Sequence, residues 1–345
     1  MNRSETFFLS TNIEIGVGSL HKLAPYIQDL NFKKVGLLID SNLGSNDYLN
    51  EIIFSLEKLN LSMLKIYNSL GTEPTYSYLE KLTGKFKDFN PDIIIAFGGG
   101  STIDLGKGIA LLLKNQVPAL SLKGFPEGIN SPVFLITVPS VFGSGSEVSY
   151  NAVFVDETEN RKLGINSKIN FPKKAFIDPL LTMSAPEKVV LYSALDSLVH
   201  CIDSFGSTKH TTFSKMYSIN GFRKTFSALL DKDLSDPQNR LDLAMGSIFG
   251  IIALMNSGDG PTNGFAYYFG VKDKIPHGLA GGIFLKEVMK WNFKNGYKEY
   301  YKLLDNTPES KPDLNLYFID KLEELYKKFK IPMLKNYGYT KSVMS

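Results

Sequence analysis

Short apolar runs that alternate with stretches of helical period most constrain the fold of the first half of this chain. Lys34–Asp40 (KVGLLID) and residues 62–67, 92–97 and 133–138 read as strands, being strand-sized and bounded by turn residues. Between them, residues 46–58 place Ile52, Ile53 and Leu56 on one helical face. Residues 75–89 follow Pro74, and residues 101–113 follow a run of three glycines; both read as helices. Strand and helix in alternation with short loops predict a mostly parallel, Rossmann-like sheet with helices on both faces.

After Asp178-Pro179 the periods become helical throughout. Residues 186–205, 213–231, 236–255, 277–294 and 314–330 each read as a helix. The third opens on Asp236-Pro237, an acid that caps and a proline at the first helical position. The last carries Leu314, Phe318, Leu322, Leu325 and Phe329 at helix-face spacing and stops before Pro332. The expected organisation is therefore α/β followed by all-α, with domains at 1–178 and 179–345. A chain of 345 residues is long enough for both.

Charge and cysteine content exclude several classes. The net charge is +3 and evenly spread, which argues against a nucleic-acid or anionic-membrane partner. Cys201 is the lone cysteine, so no internal disulfide forms and a reducing compartment fits. The N-terminal residues lack an apolar stretch of signal-peptide length, and the apolar runs fall well short of a membrane span. The expectation is a cytoplasmic protein.

Gly98, Gly99 and Gly100 follow an apolar strand and precede a helix. Glycine lets the backbone approach a ligand closely, and the helix N-terminus then offers free N–H groups to a pyrophosphate. Ser101 and Thr102 add hydroxyls. The spacing is neither the common dinucleotide fingerprint nor a P-loop, and a tight structural turn is the competing reading. Asp40 ends the strand LLID. An acid there binds ribose hydroxyls and repels a 2′-phosphate, which favours NAD over NADP; a turn-initiating Asp before Ser41-Asn42 is the alternative. The loop at 139–147 (PSVFGSGSE) offers Ser140, Ser144 and Ser146 as a second set of phosphate or nicotinamide contacts, with Asn151 and Lys162 as nearby polar candidates.

Asp196 and His200 stand at i and i+4 on one predicted helix, so both project from one face. His277, held in a Pro-His-Gly turn far downstream, is a second imidazole for the same centre. A carboxylate with imidazoles suits iron or zinc and leaves an open position for substrate. The competing reading is a surface pair or a satisfied core contact. Asp203 lies one turn further on as an acceptor that could orient a ligand. His21 and His210 have no comparable setting and read as surface residues.

Together these motifs resemble the iron-containing (group III) alcohol dehydrogenase family over most of the chain. IEIGVGSLHKL is similar to that family's first strand and turn, and GGGSTIDLGKGIA, with Asp104 and Lys107, to its pyrophosphate motif. TVPSVFGSGSEVS, from Thr137, is similar to its cofactor loop, and RKLGI and FIDP, with Lys162 and Asp178, follow in order. LDSLVHCIDSF and IPHG resemble its ligand motifs and imply Asp196, His200 and His277 as ligands. The resemblance implies a dinucleotide domain, a helical metal domain and a site in the cleft between them. It also implies NAD or NADP, a divalent metal, an alcohol or aldehyde substrate and a homodimer.

One segment departs from the pattern. The family usually carries H-x-x-x-H fourteen residues before the last ligand motif, its first histidine a ligand and its second near the substrate; here Asn263 and Tyr267 stand there. An Asn amide oxygen binds a metal but is harder than imidazole. Tyr267 is then the expected proton relay, with Lys162 a second catalytic candidate, although a phenol with an ordinary pKa of about 10 is a poor base at neutral pH. The chain also ends soon after IPMLKNYGY, where the family usually continues. The departure points to a specialised substrate, by analogy a sugar-type one. Two other readings compete: a non-catalytic NAD-binding relative without metal, and a cyclase of the dehydroquinate synthase type, which would need a Lys, Arg and His cluster not evident here.

Overall fold

The computed structural model describes residues 4–308 and 312–339. Its strands are β1 (Asn12–Ile15), β2 (Lys34–Asp40), β3 (Ser62–Asn68), β4 (Ile93–Gly98), β5 (Phe134–Pro139), β6 (Asn151–Asp156), β7 (Arg161–Asn166) and β8 (Lys174–Ile177). Its helices are α1 (Leu23–Leu30), α2 (Asp47–Glu57), α3 (Tyr76–Lys87), α4 (Gly100–Leu112), α5 (Glu187–Gly206), α6 (Thr212–Asp231), α7 (Pro237–Met255), α8 (Pro261–Lys272), α9 (His277–Lys294) and α10 (Leu314–Phe329).

Six strands form one parallel sheet in the order β1-β8-β5-β4-β2-β3. Alternate residues of β2 and β4 serve opposite faces. Leu38, Ile94 and Ala96 pack with α3 and α4 residues such as Leu79 and Leu105. Leu37, Ile39, Ile93, Ile95 and Phe97 pack on the other side with Leu23, Ile52 and Leu56. Strands apolar on both faces are what a parallel sheet between two helical layers requires. The chain leaves β2 toward β3 at one edge and returns to β4 on the other side, so the topological switch point lies between β2 and β4. Ligands of such sheets bind outside the carboxyl ends of the strands at that point, where this chain has Asp40 and Gly98–Gly100.

Two compact units result: residues 8–190 with 234–244, and the residues ahead of Phe8 with 191–233 and 245 onward. In the second, α5 is approached closely by its neighbours through glycines. A Cβ at Gly221 on α6 would meet Cys201 Sγ at 2.8 Å, and one at Gly250 on α7 would meet the Ser197 carbonyl at 3.1 Å.

Several elements differ from the sequence expectation. The segment after β5 contains an antiparallel hairpin, β6 with β7, where only loop contacts were expected. α1 precedes β2, and α8 occupies the segment of Asn263 and Tyr267. α8 has two glycines and exposed aromatics, Phe265 and Tyr268, so no clean apolar stripe marks it. Among the described residues, no helix is long and apolar enough to cross a membrane.

Candidate functional site

The first unit carries the glycine turn. Gly98 has φ +159°, and a Cβ there would meet Thr102 Cβ at 2.7 Å and Asp40 Cβ at 2.9 Å. A Cβ at Gly100 would meet Ser144 Oγ at 2.6 Å. The turn is therefore pressed between the end of β2 and the serine loop, and Gly99 starts α4 with no side-chain cap. The first N–H groups of α4, Ser101 among them, are left for a ligand. Asp40 accepts hydrogen bonds from Asn42 N at 3.0 Å and Asn42 Nδ2 at 2.9 Å, and stands 3.5 Å from Thr102 Oγ1. It is thus a turn residue in fact, with one oxygen still beside the glycine turn.

The serine loop is fastened from beneath by Lys107. Its fully buried ammonium donates to Ser146 Oγ at 2.7 Å, Ser149 Oγ at 3.2 Å and the Asn151 carbonyl at 2.6 Å, with Asp104 Oδ1 at 3.4 Å. Burial lowers the Lys107 pKa, and Asp104 opposes that. Asp104 in turn accepts from Ser146 Oγ and from Val153 N. Thr137 Oγ1 donates to the Glu147 carbonyl at 2.8 Å, and Ser140 N donates to the Gly98 carbonyl at 3.0 Å. Asp104, Thr137 and Ser146 are therefore scaffold for the loop, while Ser101 and Ser144 stand beside the glycine turn itself. Lys162, on β7, pairs with Glu73 at 2.9 Å. Sequence reasoning missed Glu147, a buried acid whose pKa burial pushes up to about 7.

The second unit gathers Asp196, His200, His277 and Asn263. Asp196 Oδ1 lies 3.6 Å from His200 Nε2 and 3.6 Å from His277 Nε2. His277 Nε2 lies 2.9 Å from Asn263 Oδ1. Gly278 brings His277 in: a Cβ there would stand 1.9 Å from the Tyr192 carbonyl and 3.1 Å from Asp196 Cβ, so only glycine lets the first turn of α9 lie on α5. Asp203, one turn beyond His200, uses its oxygens on α8: Thr262 Oγ1 donates at 2.7 Å and Asn263 N at 3.1 Å. Burial raises its pKa to about 6. Tyr267 stacks on the His277 ring, 4.8 Å between centroids and 25° between planes. Of the two histidines set aside as surface residues, His21 is exposed, but His210 is half-buried with Nδ1 2.6 Å from the Ser207 carbonyl.

Among the described residues, no three His, Cys, Asp or Glu side chains form a ready-made metal group. Asp196, His200 and His277 by themselves are not such a group; Asn263 adds an amide oxygen beside them. Ligands around a tetrahedral ion with bonds of about 2.0–2.2 Å stand about 3.3–3.6 Å apart, and about 2.8–3.1 Å apart at right angles. The two 3.6 Å separations and the 2.9 Å one lie at or near these values. His200 Nδ1 is buried with no hydrogen-bond partner. As a donor set, a carboxylate, two imidazoles and an amide oxygen suit a divalent ion.

The family description "Iron-containing alcohol dehydrogenase" matches residues 10–179, and "Fe-containing alcohol dehydrogenase family, C-terminal" matches residues 190–344. An alcohol dehydrogenase of Thermococcus barophilus is 32% identical over 302 residues, covering 84% of this chain and 77% of that protein. An NADPH-dependent butanol dehydrogenase of Clostridium saccharobutylicum is 27% identical over 344 residues, covering 96% and 86%. The fold also matches that of an NADH-dependent butanol dehydrogenase of Thermotoga maritima, with a TM-score of 0.86 at 21% identity over 98% of this chain and 87% of that one. The chain belongs to the iron-containing alcohol dehydrogenase family, oxidoreductases that act on CH–OH groups. Membership implies a divalent metal and a nicotinamide cofactor.

Proposed function

We propose that this chain interconverts an alcohol and its aldehyde or ketone with NAD(H), and that Asp196, His200, His277 and Asn263 hold a divalent iron or zinc ion for the reaction. The observation that carries the reading is the approach of two imidazoles to one carboxylate oxygen, closed by an amide oxygen. When bound, the ion supplies Lewis-acid polarisation of the substrate oxygen and the nicotinamide supplies or accepts the hydride.

The chain's own residues do the rest. In residues 1–178, the first N–H groups of α4 bind the pyrophosphate, and Ser101, Ser140 and Ser144 add hydroxyls. Asp104 and Lys107 hold the serine loop in place. Asp40 takes ribose hydroxyls and disfavours a 2′-phosphate. In residues 179–345, Asp203 and Gly278 set the positions of α8 and α9, and the Tyr267 phenol relays the proton. Lys162, held by Glu73, is assigned no proton transfer. The enzyme is read as a cytoplasmic homodimer, its one thiol buried and reduced.

The test is nicotinamide absorbance at 340 nm with short aldehydes, sugar-type carbonyls and the matching alcohols, after loading with Fe(II) or Zn(II). Metal-dependent turnover is expected. A second reading, a non-catalytic NAD-binding relative, draws on the hydrogen bond that His277 already makes to Asn263. Tight NAD binding with no metal uptake and no turnover would establish that reading instead.

A further inference from the structure

We propose that Asp259 is the positioning residue that aims the Asn263 amide oxygen at the ion, so that this chain's fourth donor is an oxygen selected by a carboxylate outside the site. The inference rests on the ion-site reading above and adds what decides the donor atom.

A primary amide has nearly the same shape whichever way its oxygen and nitrogen point. Only its hydrogen bonds decide which atom faces a given side. Turned one way, Asn263 offers a lone pair to a cation; turned the other, it offers two N–H groups that repel one. A carboxylate only accepts, so whatever amide atom faces it must be the nitrogen. Asn263 Nδ2 donates to Asp259 Oδ1 at 2.9 Å. The oxygen is thereby committed to the opposite side, where it meets His277 Nε2 at 2.9 Å.

Two carboxylates divide the work at the start of α8. Asp203 accepts from Asn263 N and Thr262 Oγ1 and pins the backbone. Asp259, ahead of the Gly260 cap and four residues before Asn263, engages the side chain alone. Asn263 is 2% exposed, so in the folded chain its amide depends on protein partners. Asp259 itself is exposed. An imidazole at this position would offer a ring nitrogen in place of the amide's choice between oxygen and nitrogen.

The experiment titrates Co(II) into the full chain, stripped of metal by chelator. Calorimetry and the visible Co(II) spectrum report binding, and thermal melts check that each variant folds. Asp259→Ala is made in the native background and in an Asn263→Asp background, where both side-chain atoms are oxygens and no selection is needed. The expected result is a loss of Co(II) affinity of about tenfold or more with Asn at 263 and under about threefold with Asp, the scale on which partners of metal ligands act. Asp259→Asn, which removes the same negative charge but keeps an oxygen that can accept from Asn263 Nδ2, separates selection of the amide from the loss of charge. Equal losses in both, or no loss in the native background, would overturn the proposal. Binding by Asn263→Asp but not by the native chain would overturn it while leaving the other three ligands standing. Failure of both to bind would remove the ion-site reading itself, and this inference with it.

Discussion

Gly278 and Tyr192 approach so closely that a Cβ on the glycine would lie 1.9 Å from the tyrosine carbonyl oxygen. No rotamer relieves an overlap with backbone. Gly278→Ala must therefore lift the first turn of α9 from α5 and carry His277 away from Asp196. Overpacking of this kind costs about 1–3 kcal/mol. The expected outcome is a melting temperature lowered by several degrees and a loss of Co(II) affinity larger than that stability change alone explains. Unchanged Co(II) binding would mean that the helix contact does not set the ligand position.

His200→Ala removes a proposed ligand that lies in the helical unit, apart in sequence from every residue assigned to the cofactor. The variant should lose metal binding by more than about tenfold while retaining NAD(H) affinity within about twofold, as should His277→Ala. Elemental analysis of the purified variants and fluorescence titration with NADH measure the two quantities. Full metal occupancy in both variants would refute the ligand assignment.

Asp40 does two things that one substitution separates. Its side chain accepts from Asn42 N as the cap of a short 3-10 turn, and its charge stands beside the glycine turn. Serine keeps a capping oxygen and removes the charge. Asp40→Ser should therefore shift the NAD to NADP preference toward NADP by about tenfold, roughly 1.4 kcal/mol, with little change in melting temperature. Kinetics with both cofactors would show it; an unmoved ratio would leave Asp40 as a turn residue alone.

Legibility in the sequence followed how local each cause was. β2 to β5 and the helices between them were readable because apolar period and glycine punctuation lie within each segment. Asp196 and His200 were readable because a helix puts i and i+4 on one face, and the family resemblance added His277 and Asn263. α8 was not readable. Its N-cap is Gly260 with no side-chain cap, and the carboxylate that serves its N-terminus is Asp203, about sixty residues earlier on α5. Asp203, read from the sequence as an acceptor that could orient a ligand, accepts from Thr262 Oγ1 and from Asn263 N on α8. Asp259 was silent for the same reason, since the orientation of one amide leaves no mark on periodicity. Lys107 matched a motif, but its role as a buried clamp on three oxygens appears only when β6 and the serine loop are folded over α4.

Glu147 sets a pH dependence whose sign can be worked out. Burial raises its pKa from 4.5 to about 7, against the opposing pull of Lys107, and one carboxyl oxygen has no hydrogen-bond partner. The folded protein thus keeps a proton that the unfolded chain releases. Its contribution to stability is fully present below about pH 4.5 and is lost as pH rises through about 7. Glutamine has the shape of the protonated acid and nothing to ionise. Glu147→Gln should therefore gain stability relative to the native chain across that window, by at most about 1.4 kcal/mol per pH unit and about 3 kcal/mol by pH 7.5. Urea melts of both proteins at pH 5, 6, 7 and 8 measure the difference. A difference that stays flat would mean that Lys107 holds Glu147 ionised in the folded state and that the loop carries an ion pair in place of a neutral acid.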